Sequence, residues 1–435
     1  MNKSPLELLS DFVAIQSVSA DPLRHDQILK AVEFLKKEIK TLGFKIKTYQ
    51  KDNCPPLIVA RNYLEDGRPQ DIKTLGIYAH YDVQPEDPVD KWDSPPFQLT
   101  RRNGKLFGRG VADDKGHIVQ TIIAIKKLIE IGKLARLRPD YAKATSGKQG
   151  YGGRSNIVLI LEGEEETGSK NFEYLIKQAK DDLKNIDVFY VLDFGMETSD
   201  HPEIFYGLRG LIGFELEVKI GEQDLHSGVY GNQIDNPIQI LSELFSKIKD
   251  SKTRKILIPH FYDKVKYKSK DNYWLSTKVH PSFDVNGISG GYTGEGVKTI
   301  IPALARAKFS FRLIEDQTPD EIEKLVNNFV KKNLPKGVKY SLKTSGKLNP
   351  FCIDINNKYV KETDKIFTEV FGKKSLFKRS GGSIGAASTL AKIFKKPMVL
   401  TGFTLEDCNI HSPNENFDEE MFFKGIISLE KILLQ

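Results

Sequence analysis

Cysteine is scarce in this sequence. Only Cys54, Cys352 and Cys408 occur among 435 residues, and no two of them form a CxxC pair. A small, odd and widely spaced set of cysteines excludes a disulfide framework and is typical of proteins in a reducing compartment. We therefore expect a cytoplasmic protein.

Long apolar runs are also missing, since no stretch approaches the roughly 18 apolar residues of a membrane span. Near the N-terminus, Glu7 and Asp11 interrupt an apolar segment in which Leu6, Leu9 and Phe12 have helical spacing. This pattern predicts an amphipathic first helix and not a signal peptide. We expect no association with a membrane.

The sequence has no strong excess of one charge. Its 65 Lys and Arg residues face 58 Asp and Glu residues, which gives a net charge of +7. The basic residues are interspersed with acidic ones on predicted helices, as in residues 36–40. This mixture indicates a solvated surface, so we expect no nucleic-acid partner.

The length of the chain exceeds what one hydrophobic core usually supports, so we expect two domains. The first half alternates predicted helices, at residues 26–42 and 118–131, with predicted strands at 57–61, 74–83, 157–161 and 188–192. Such alternation favours an α/β sheet covered by helices.

The pattern changes after Asp193. Predicted strands within residues 204–220, at 303–313 and at 338–342 enclose helices at 237–248 and from Thr318 onward. Thr318 is a suitable N-cap for the second of these helices, because Pro319 and two acidic residues follow it. We interpret this region as a separate α+β module, after which the chain returns to the first domain with a strand at 397–402.

The segment TLGIYAHYDVQP, residues 74–85, places two polar side chains at the end of an apolar strand. His80 and Asp82 are two residues apart, so they would project from the same face of an extended chain. The carboxyl ends of strands are where open α/β sheets bind ligands. A polar turn that closes a core strand is the alternative interpretation.

Further acidic residues and a histidine follow other predicted strands or lie in loops. They are Asp113 and Asp114 before a helix, Glu164, Glu165 and Glu166 after a strand, Asp193 at another strand end, and His411 near the C-terminus. Each one alone could be a helix cap, a solvated turn or a loop residue. Together they indicate a shared site, because strand ends of one sheet converge on one crevice.

Carboxylates and imidazoles are the usual oxygen and nitrogen ligands of Zn²⁺. Hydrolytic sites often hold two metal ions about 3.5–4 Å apart, which requires about five ligands with one shared carboxylate. The sequence supplies two histidines, two aspartates and a glutamate, with an adjacent glutamate left to act as a base.

Six motifs carry a family resemblance: HYDVQP, GRGVADDKG, EGEEETGS, the VLD that ends at Asp193, DLHSGVYG and HSPNE. In this order they closely resemble the M20 family of dinuclear metallopeptidases, especially its cytosolic, carnosine dipeptidase-like branch. The resemblance covers nearly the whole chain. It implies an α/β zinc-peptidase catalytic domain, with a mixed central sheet flanked by helices, at residues 1–203 and 345–435. An α+β ferredoxin-like lid and dimerisation domain, residues 204–344, would be inserted into it.

The resemblance also implies roles for individual residues. Two Zn²⁺ ions per subunit would be bound, with Mn²⁺ or Co²⁺ as substitutes. The first ion would be bound by His80, Asp113 and Asp193, and the second by Asp113, Glu166 and His411. Asp82 would orient His80, Glu165 would be the general base, and Asp114 would not be the bridging ligand.

Three segments of the chain would recognise the substrate. His226 would reach the site of the partner subunit in a homodimer and stabilise the developing oxyanion. Arg312, Gly382 and Ser383 would bind the substrate carboxylate. Three positions depart from the family pattern, Ala79 for glycine, Gly385 for proline and Ser380 for an acid, so the exact specificity stays open.

The resemblance implies hydrolysis of dipeptides or short peptides with a free C-terminal carboxylate. An N-acyl amino acid deacylase or desuccinylase of the same family is the alternative. A serine hydrolase is a rival interpretation, because residues 381–385 fit G-x-S-x-G around Ser383, and Asp407 and His411 follow. A metal-binding or scaffold protein without activity is a further alternative.

Overall fold

The computed structural model describes residues 3–63, 72–134, 155–266 and 278–435. The chain divides into two compact units. Unit 1 comprises Met1–Tyr206, Ile353–Lys378 and Ile384–Gln435, and unit 2 comprises Gly207–Cys352 and Arg379–Ser383.

The described residues contain both helices and strands. The helices are α1 Pro5–Val13, α2 His25–Thr41, α3 Lys115–Glu130, α4 Phe172–Gln178, α5 Lys180–Leu183, α6 Ser227–Tyr230, α7 Pro237–Ile248, α8 Pro319–Asn333, α9 Lys358–Phe371, α10 Gly385–Phe394 and α11 Glu419–Ile432. The strands are β1 Lys45–Tyr49, β2 Leu57–Arg61, β3 Lys73–His80, β4 Thr100–Arg102, β5 Lys105–Phe107, β6 Ser155–Glu162, β7 Val188–Val191, β8 Gly195–Met196, β9 Glu203–Leu208, β10 Gly210–Lys219, β11 Leu225–His226, β12 Ser282–Gly290, β13 Ile300–Ile301, β14 Leu304–Leu313, β15 Lys339–Leu348, β16 Phe351–Cys352, β17 Leu376–Arg379, β18 Met398–Leu400, β19 Thr404–Leu405 and β20 Asn416–Asp418.

The main sheet of unit 1 is mixed. Seven of its strands follow the order β1-β2-β6-β3-β7-β18-β9, and β17 also pairs with β9. The four strands from β6 to β18 run parallel, whereas β1, β2 and β9 are antiparallel to their neighbours. All eight residues of β6 are buried, as expected for a parallel strand with both faces covered. The predicted α/β sheet is therefore confirmed.

Helix α1 has the predicted amphipathic character. Leu9 and Phe12 are fully buried, and Phe12 stacks on Phe34 of α2 with ring centroids 4.9 Å apart. Ser4 and Glu7 form a capping box that satisfies backbone donors at the helix start. None of the helices in the described ranges has the length and apolar character that crossing a bilayer requires.

Unit 2 is an α+β module with a four-stranded antiparallel sheet in the order β12-β14-β10-β15. Along the chain the four strands of this sheet and two helices follow the order β10-α7-β12-β14-α8-β15, with the short elements β11, α6 and β13 between them. This is the ferredoxin-like arrangement named above. Side chains of β14 alternate between buried and exposed, so one face carries the core. Phe214, Phe309 and Phe311 belong to that core. Thr318 caps α8 as predicted, by accepting a hydrogen bond from the amide of Glu321.

Strand β12 was not predicted. Residues 284–289 of this strand are exposed, and its sequence SFDVNGISG lacks an apolar alternation. It lies at the edge of the sheet, where only one neighbour constrains it. Apart from Phe283, which is buried in the core, the strand is defined by its backbone pairing with β14, in which Ser282 lies opposite Arg312.

The predicted extent of β3 was also wrong at one end. The strand stops at His80 instead of continuing to residue 83, so His80 and Asp82 do not share a strand face. The proposed boundaries of the domains, after residues 203 and 344, stay a prediction. The division into compact units places Arg379–Ser383 with unit 2.

Candidate metal centre

The candidate site of unit 1 lies at the carboxyl ends of three adjacent parallel strands. His80 is the last residue of β3, and Asp193 follows β7 by two residues. Glu165 and Glu166 belong to a 3-10 turn that follows β6. Because β3 pairs with both β6 and β7 in parallel, these side chains come to the same edge of the sheet.

Three of these side chains form the first group of potential ligands. His80 Nε2 lies 2.9 Å from Asp113 Oδ1 and 3.8 Å from Asp193 Oδ1. One ligand atom from each of the three residues lies within 4.8 Å of the others. His80 is fully buried, and Asp113 and Asp193 are only slightly exposed, so the group is largely shielded from water.

The second group uses the other oxygen of Asp113. His411 Nε2 lies 2.9 Å from Asp113 Oδ2 and 3.1 Å from Glu166 Oε2. Ligand atoms of these three residues also lie within 4.8 Å of one another. The Asp113 carboxylate therefore stands between the two groups, with one oxygen facing each.

The donor set fits two divalent cations. It consists of imidazole nitrogens and carboxylate oxygens, which are common ligands of Zn²⁺. Glu166 Oε1 is buried and has no hydrogen-bond partner among the described residues. A buried carboxylate oxygen without a partner is costly unless a cation or a donor satisfies it. The residues present therefore suit metal ions.

The protonation behaviour of the site reflects burial and crowding of charge. Burial is the main cause that raises the pKa of Asp193, to about 6. Burial also raises the pKa of Glu165 well above its usual range, and the charge of Asp193 adds to this effect. Hydrogen bonds to Asp113 and Glu166 raise the pKa of His411 to about 10. Carboxylates gathered in this way favour positive charge between them.

Asp82 contacts both the histidine ligand and the glutamate turn. His80 Nδ1 lies 3.1 Å from the main-chain oxygen of Asp82 and 3.4 Å from its Oδ1. The Asp82 carboxylate also accepts the backbone N–H groups of Glu165 and Glu166, at 3.2 and 3.1 Å. Asp82 thus ties the end of β3 to the turn that follows β6.

Asp114 has a different environment from Asp113. Its Oδ2 accepts the backbone N–H of His80 at 3.1 Å, and its Oδ1 lies 2.5 Å from His117 Nδ1. His117 Nε2 accepts the backbone N–H of Phe403 at 3.0 Å, so its proton is on Nδ1 and is donated to Asp114. Neither potential ligand group includes Asp114.

Glu415 is the main residue of the site that motif reasoning missed. Its buried carboxylate accepts the backbone N–H groups of Gly110, Ala112 and Asp113, at 2.9, 2.9 and 3.1 Å. It also accepts a hydrogen bond from Arg109 Nη1 at 2.7 Å. The last residue of HSPNE therefore holds the loop that carries Asp113. Because these contacts join residues 302 to 306 positions apart, the sequence contained no local signal for them beyond the presence of Glu415 in the motif.

Gln84 is a second residue that was missed. Its Nε2 donates to Glu166 Oε2 at 2.8 Å.

His411 lies in a loop and has a φ of +58°, a backbone conformation that is uncommon for residues other than glycine. Backbone strain of this kind is frequent at functional sites.

The predicted substrate residues lie in unit 2. Arg312 on β14 donates from Nη1 to Ser383 Oγ at 2.9 Å. The backbone N–H of Gly382 donates to Ser380 Oγ at 3.1 Å. His226 ends β11, is exposed, and accepts the backbone N–H of Gly228 on Nδ1 at 3.0 Å. Arg312 and Ser383 are thus in direct contact, and His226 is free to turn its other ring nitrogen to a ligand.

The contacts do not support the serine hydrolase alternative. Ser383 Oγ contacts Arg312 and the main-chain oxygen of Arg209. Asp407 accepts from Lys105 Nζ at 2.5 Å, and His411 Nε2 faces Asp113 and Glu166. Asp407 and His411, which both lie in unit 1, are therefore engaged by other residues and not by each other.

Two segments of the chain match family models. Residues 76–136 match the model of peptidase family M20/M25/M40, and residues 206–338 match a peptidase dimerisation domain. The Cys-Gly metallodipeptidase dug1 of Schizosaccharomyces pombe is 30% identical over 467 residues, which cover 96% of this chain and 92% of that protein. The chain belongs to the M20 peptidase family.

Other relatives of this M20 peptidase agree with that assignment. The Beta-Ala-His dipeptidase of Homo sapiens is 28% identical over 97% of the chain and 87% of that protein. The solved M20 metallo-carboxypeptidase Sso-CP2 of Sulfolobus solfataricus has a TM-score of 0.85 at 27% identity and covers 99% of both chains. The dipeptidase Dug1p of Saccharomyces cerevisiae has a TM-score of 0.80 at 26% identity, with 99% and 95% covered.

These relatives confirm the resemblance to the dipeptidase branch and the fold that it implied, a catalytic domain with a dimerisation domain. The M20 peptidase is therefore an enzyme, and its metallopeptidase relatives indicate that it binds divalent metal. The residues of the two ligand groups are the candidates for holding that metal.

Proposed function

We propose that this M20 peptidase hydrolyses the amide bond of dipeptides or short peptides that have a free C-terminal carboxylate. The observation that carries this proposal is the position of Asp113, whose two oxygens each lie 2.9 Å from an imidazole nitrogen of a different ligand group. Two relatives are named for the dipeptides Cys-Gly and β-Ala-His, which supports a substrate of two residues.

Two Zn²⁺ ions per subunit would occupy the centre, and Mn²⁺ or Co²⁺ could replace them. His80, Asp113 and Asp193 would hold one ion, and Asp113, Glu166 and His411 the other. Divalent ions at such a site supply Lewis acidity at neutral pH. His80 is suited to its role because Asp82 contacts its Nδ1 and leaves Nε2 directed at Asp113.

Glu165 would act as the general base and then as the acid. Its carboxylate would take a proton from the attacking water and deliver it to the nitrogen of the leaving amine. The turn that carries Glu165 is fixed, because Asp82 accepts its backbone N–H at 3.2 Å. Burial of Glu165 raises its pKa well above the usual range, which makes this carboxylate a stronger proton acceptor than an exposed one.

The other end of the substrate would be recognised by unit 2. Arg312, the backbone amide of Gly382 and Ser383 would bind the C-terminal carboxylate. A guanidinium is the preferred partner of a planar carboxylate because it can donate two parallel hydrogen bonds. The contact of Arg312 with Ser383 supports a joint role for the two residues.

We further propose a homodimer in which His226 of the partner subunit donates a hydrogen bond to the developing oxyanion. The match of residues 206–338 to a dimerisation domain supports this assembly. The exposed imidazole of His226 has one nitrogen engaged by its own chain, through Gly228. A cytoplasmic location agrees with Cys54, Cys352 and Cys408, which are all free thiols.

A substrate screen tests the reaction. Metal-stripped protein, supplied with Zn²⁺, Mn²⁺ or Co²⁺, is assayed with dipeptides, N-acetyl amino acids and N-succinyl amino acids. We expect hydrolysis of dipeptides that is lost on chelation and is insensitive to a serine-directed phosphonate. A preference for acylated amino acids would instead assign the protein to the deacylase alternative.

Replacing the proposed base tests the mechanism. In Glu165→Ala we expect kcat to fall about 10²- to 10⁴-fold, the usual contribution of general acid–base catalysis. Metal content, measured by elemental analysis, should stay at the wild-type value. Glu173→Gln is the matched control, because Glu173 is 40% exposed and pairs with Lys177 and Lys392 on the surface. Full activity of Glu165→Ala would remove Glu165 from this role.

A further inference from the structure

Arg209 in unit 2 makes an unusual set of contacts with the glycine-rich segment at residues 381–383. Its backbone N–H donates to the main-chain oxygen of Gly382 at 3.1 Å. Its Nε donates to the main-chain oxygen of Gly381 at 2.8 Å. The Ser383 hydroxyl in turn donates to the main-chain oxygen of Arg209. Gly381, Gly382 and Ser383 are therefore all hydrogen-bonded to Arg209.

The same guanidinium reaches a third segment of unit 2. Its Nη1 lies 3.3 Å from Ser282 Oγ and 3.5 Å from the main-chain oxygen of His280. Ser282 is the residue of β12 that lies directly opposite Arg312 in the β12–β14 pairing. Arg209 thus links the glycine-rich segment to the strand that neighbours Arg312.

The hydroxyl of Ser383 connects the two arginines. It donates its single hydrogen to the main-chain oxygen of Arg209 and accepts a hydrogen bond from Arg312 Nη1 at 2.9 Å. A hydroxyl has one donor, so Ser383 in this arrangement has none left for a substrate. Its effect is instead to fix the direction of the Arg312 guanidinium, whose remaining N–H groups have no hydrogen-bond partner among the described residues.

The charges of this cluster indicate an anionic ligand. Arg209 and Arg312 are both partly buried, and neither guanidinium forms an ion pair within the described residues. The negative charge of Asp284 acts on both from a longer distance, and Asp284 itself pairs with Lys249 at 3.8 Å. Burial, and next the positive charge of Arg312, lower the pKa of Arg209 to about 10. Two like charges held together without a carboxylate in ion-pair contact destabilise the folded state. If these two positions had only a structural role, neutral side chains there would stabilise the fold more than two arginines do.

We propose that Arg209 is a positioning residue of an anion site in unit 2, where it fixes Ser383, and through it Arg312, for the carboxylate of the substrate. This inference rests on the proposed function for the identity of the ligand. It changes the direct role proposed for Ser383 above: Ser383 would act on the carboxylate only through Arg312, which makes the direct contact, and Arg209 would hold Ser383 in place.

The test compares L-alanylglycine with L-alanylglycinamide, which lacks the carboxylate. Wild type, Arg209→Lys, Arg209→Met and Arg312→Met are assayed for kcat and KM with metal, and for binding of both compounds by calorimetry after metal removal. Arg306→Met is the matched control, because Arg306 lies on the same strand as Arg312, is 54% exposed and pairs with Glu217.

We expect Arg209→Met to raise KM for the dipeptide at least about tenfold, as for the loss of a hydrogen bond to a charged group, with a smaller change in kcat. The preference for dipeptide over amide should fall by the same factor. Arg209→Lys should share the defect, because lysine has the charge but not the planar fork that reaches Gly381 and Ser282. Combining Arg209→Met with Arg312→Met should add little to Arg312→Met alone.

Other outcomes separate the proposals. If Arg209→Met lost the same factor of activity with the dipeptide and with the amide, Arg209 would have only a structural role, and the inference would be wrong. It would also be wrong if Arg209→Met preferred the dipeptide over the amide as strongly as wild type does. Full additivity of the two substitutions would also overturn it, since Arg209 would then act independently of Arg312. If wild type hydrolyses neither compound but still binds the dipeptide more tightly, and Arg209→Met abolishes that preference, the proposed function fails and the role of Arg209 stands.

Discussion

The buried contacts of Glu415 allow a quantitative prediction. The side chains of Glu415 and Arg109 are 0% and 1% exposed and lie 2.7 Å apart. Oε2 of Glu415 accepts from Arg109 and Gly110, and Oε1 accepts from Ala112 and Asp113. In Glu415→Gln one of these oxygens becomes an NH₂ group, so two of the four donors lose their acceptor.

The cost follows from that loss. Each buried donor without an acceptor costs about 1–3 kcal/mol, and breaking a buried ion pair costs about 3–5 kcal/mol. The two estimates describe the same event, so we expect Glu415→Gln to lose about 4 kcal/mol of unfolding free energy. This is a large part of the roughly 5–15 kcal/mol that stabilises a typical protein.

Urea unfolding of metal-stripped protein, followed by circular dichroism, measures this loss. Glu173→Gln, which breaks a surface pair, should cost less than about 1 kcal/mol. Arg109→Met combined with Glu415→Gln should be more stable than the sum of the single losses predicts, because the double variant leaves no unpaired buried charge. A loss below 1 kcal/mol for Glu415→Gln, or strict additivity, would refute the reasoning.

The same substitution should affect metal binding. Asp113 lies at the end of the loop that Glu415 holds, so a looser loop should weaken metal affinity about 10- to 100-fold, as for other residues that orient metal ligands. Competition with a chromogenic chelator measures this change. Unchanged affinity in Glu415→Gln would mean that the loop keeps its conformation without the carboxylate.

Two further predictions concern stability at low pH and the dimer. Asp182 is buried and pairs with Arg61 at 2.8 Å. Burial alone would raise the pKa of Asp182, but hydrogen bonds from Lys47 and Tyr49 outweigh this effect, so the pKa is lowered. A lowered pKa stabilises the fold above the unfolded pKa, near 4, and this stability is lost as the pH falls through the folded value. Asp182→Asn should therefore be less stable at pH 7 and show a shallower loss of stability below about pH 4; an unchanged acid slope in urea titrations would contradict this. For the dimer, equal mixing of Glu165→Ala and His226→Ala should restore about a quarter of wild-type activity, because half of the dimers are mixed and each has one complete site. No recovery, despite subunit exchange shown by mass spectrometry, would exclude a shared site.

Much of the fold could be predicted because its elements have strong local patterns. The predicted helix at residues 237–248 matches α7 in both bounds. Strand β2 likewise matches the prediction at 57–61. Strand β12 could not be predicted in this way, because its exposed edge position needs no apolar side chains, and only the pairing with β14 defines it.

The candidate site was partly predictable for a similar reason. His80 and Asp193 follow apolar strands, and their residue types are those of metal ligands, so position and chemistry agreed. Glu415 and Gln84 had no such signal, because their roles depend on which backbone amides and carboxylates the fold brings to them. The family motifs contained both residues without indicating what either one contacts.

The sequence by itself determined the alternation of strands and helices and the set of residues able to bind metal. These depend on side-chain chemistry and on the periods of two and 3.6 residues along the chain. The family resemblance implied that Asp113, and not Asp114, is the shared ligand, and the tertiary structure supplies the physical reason by placing Asp113 between His80 and His411. Only the tertiary structure decided that Arg209 holds the segment with Ser383. Neighbouring residues of the same type differ only in the direction that the folded backbone gives them, and contacts across hundreds of residues have no local pattern.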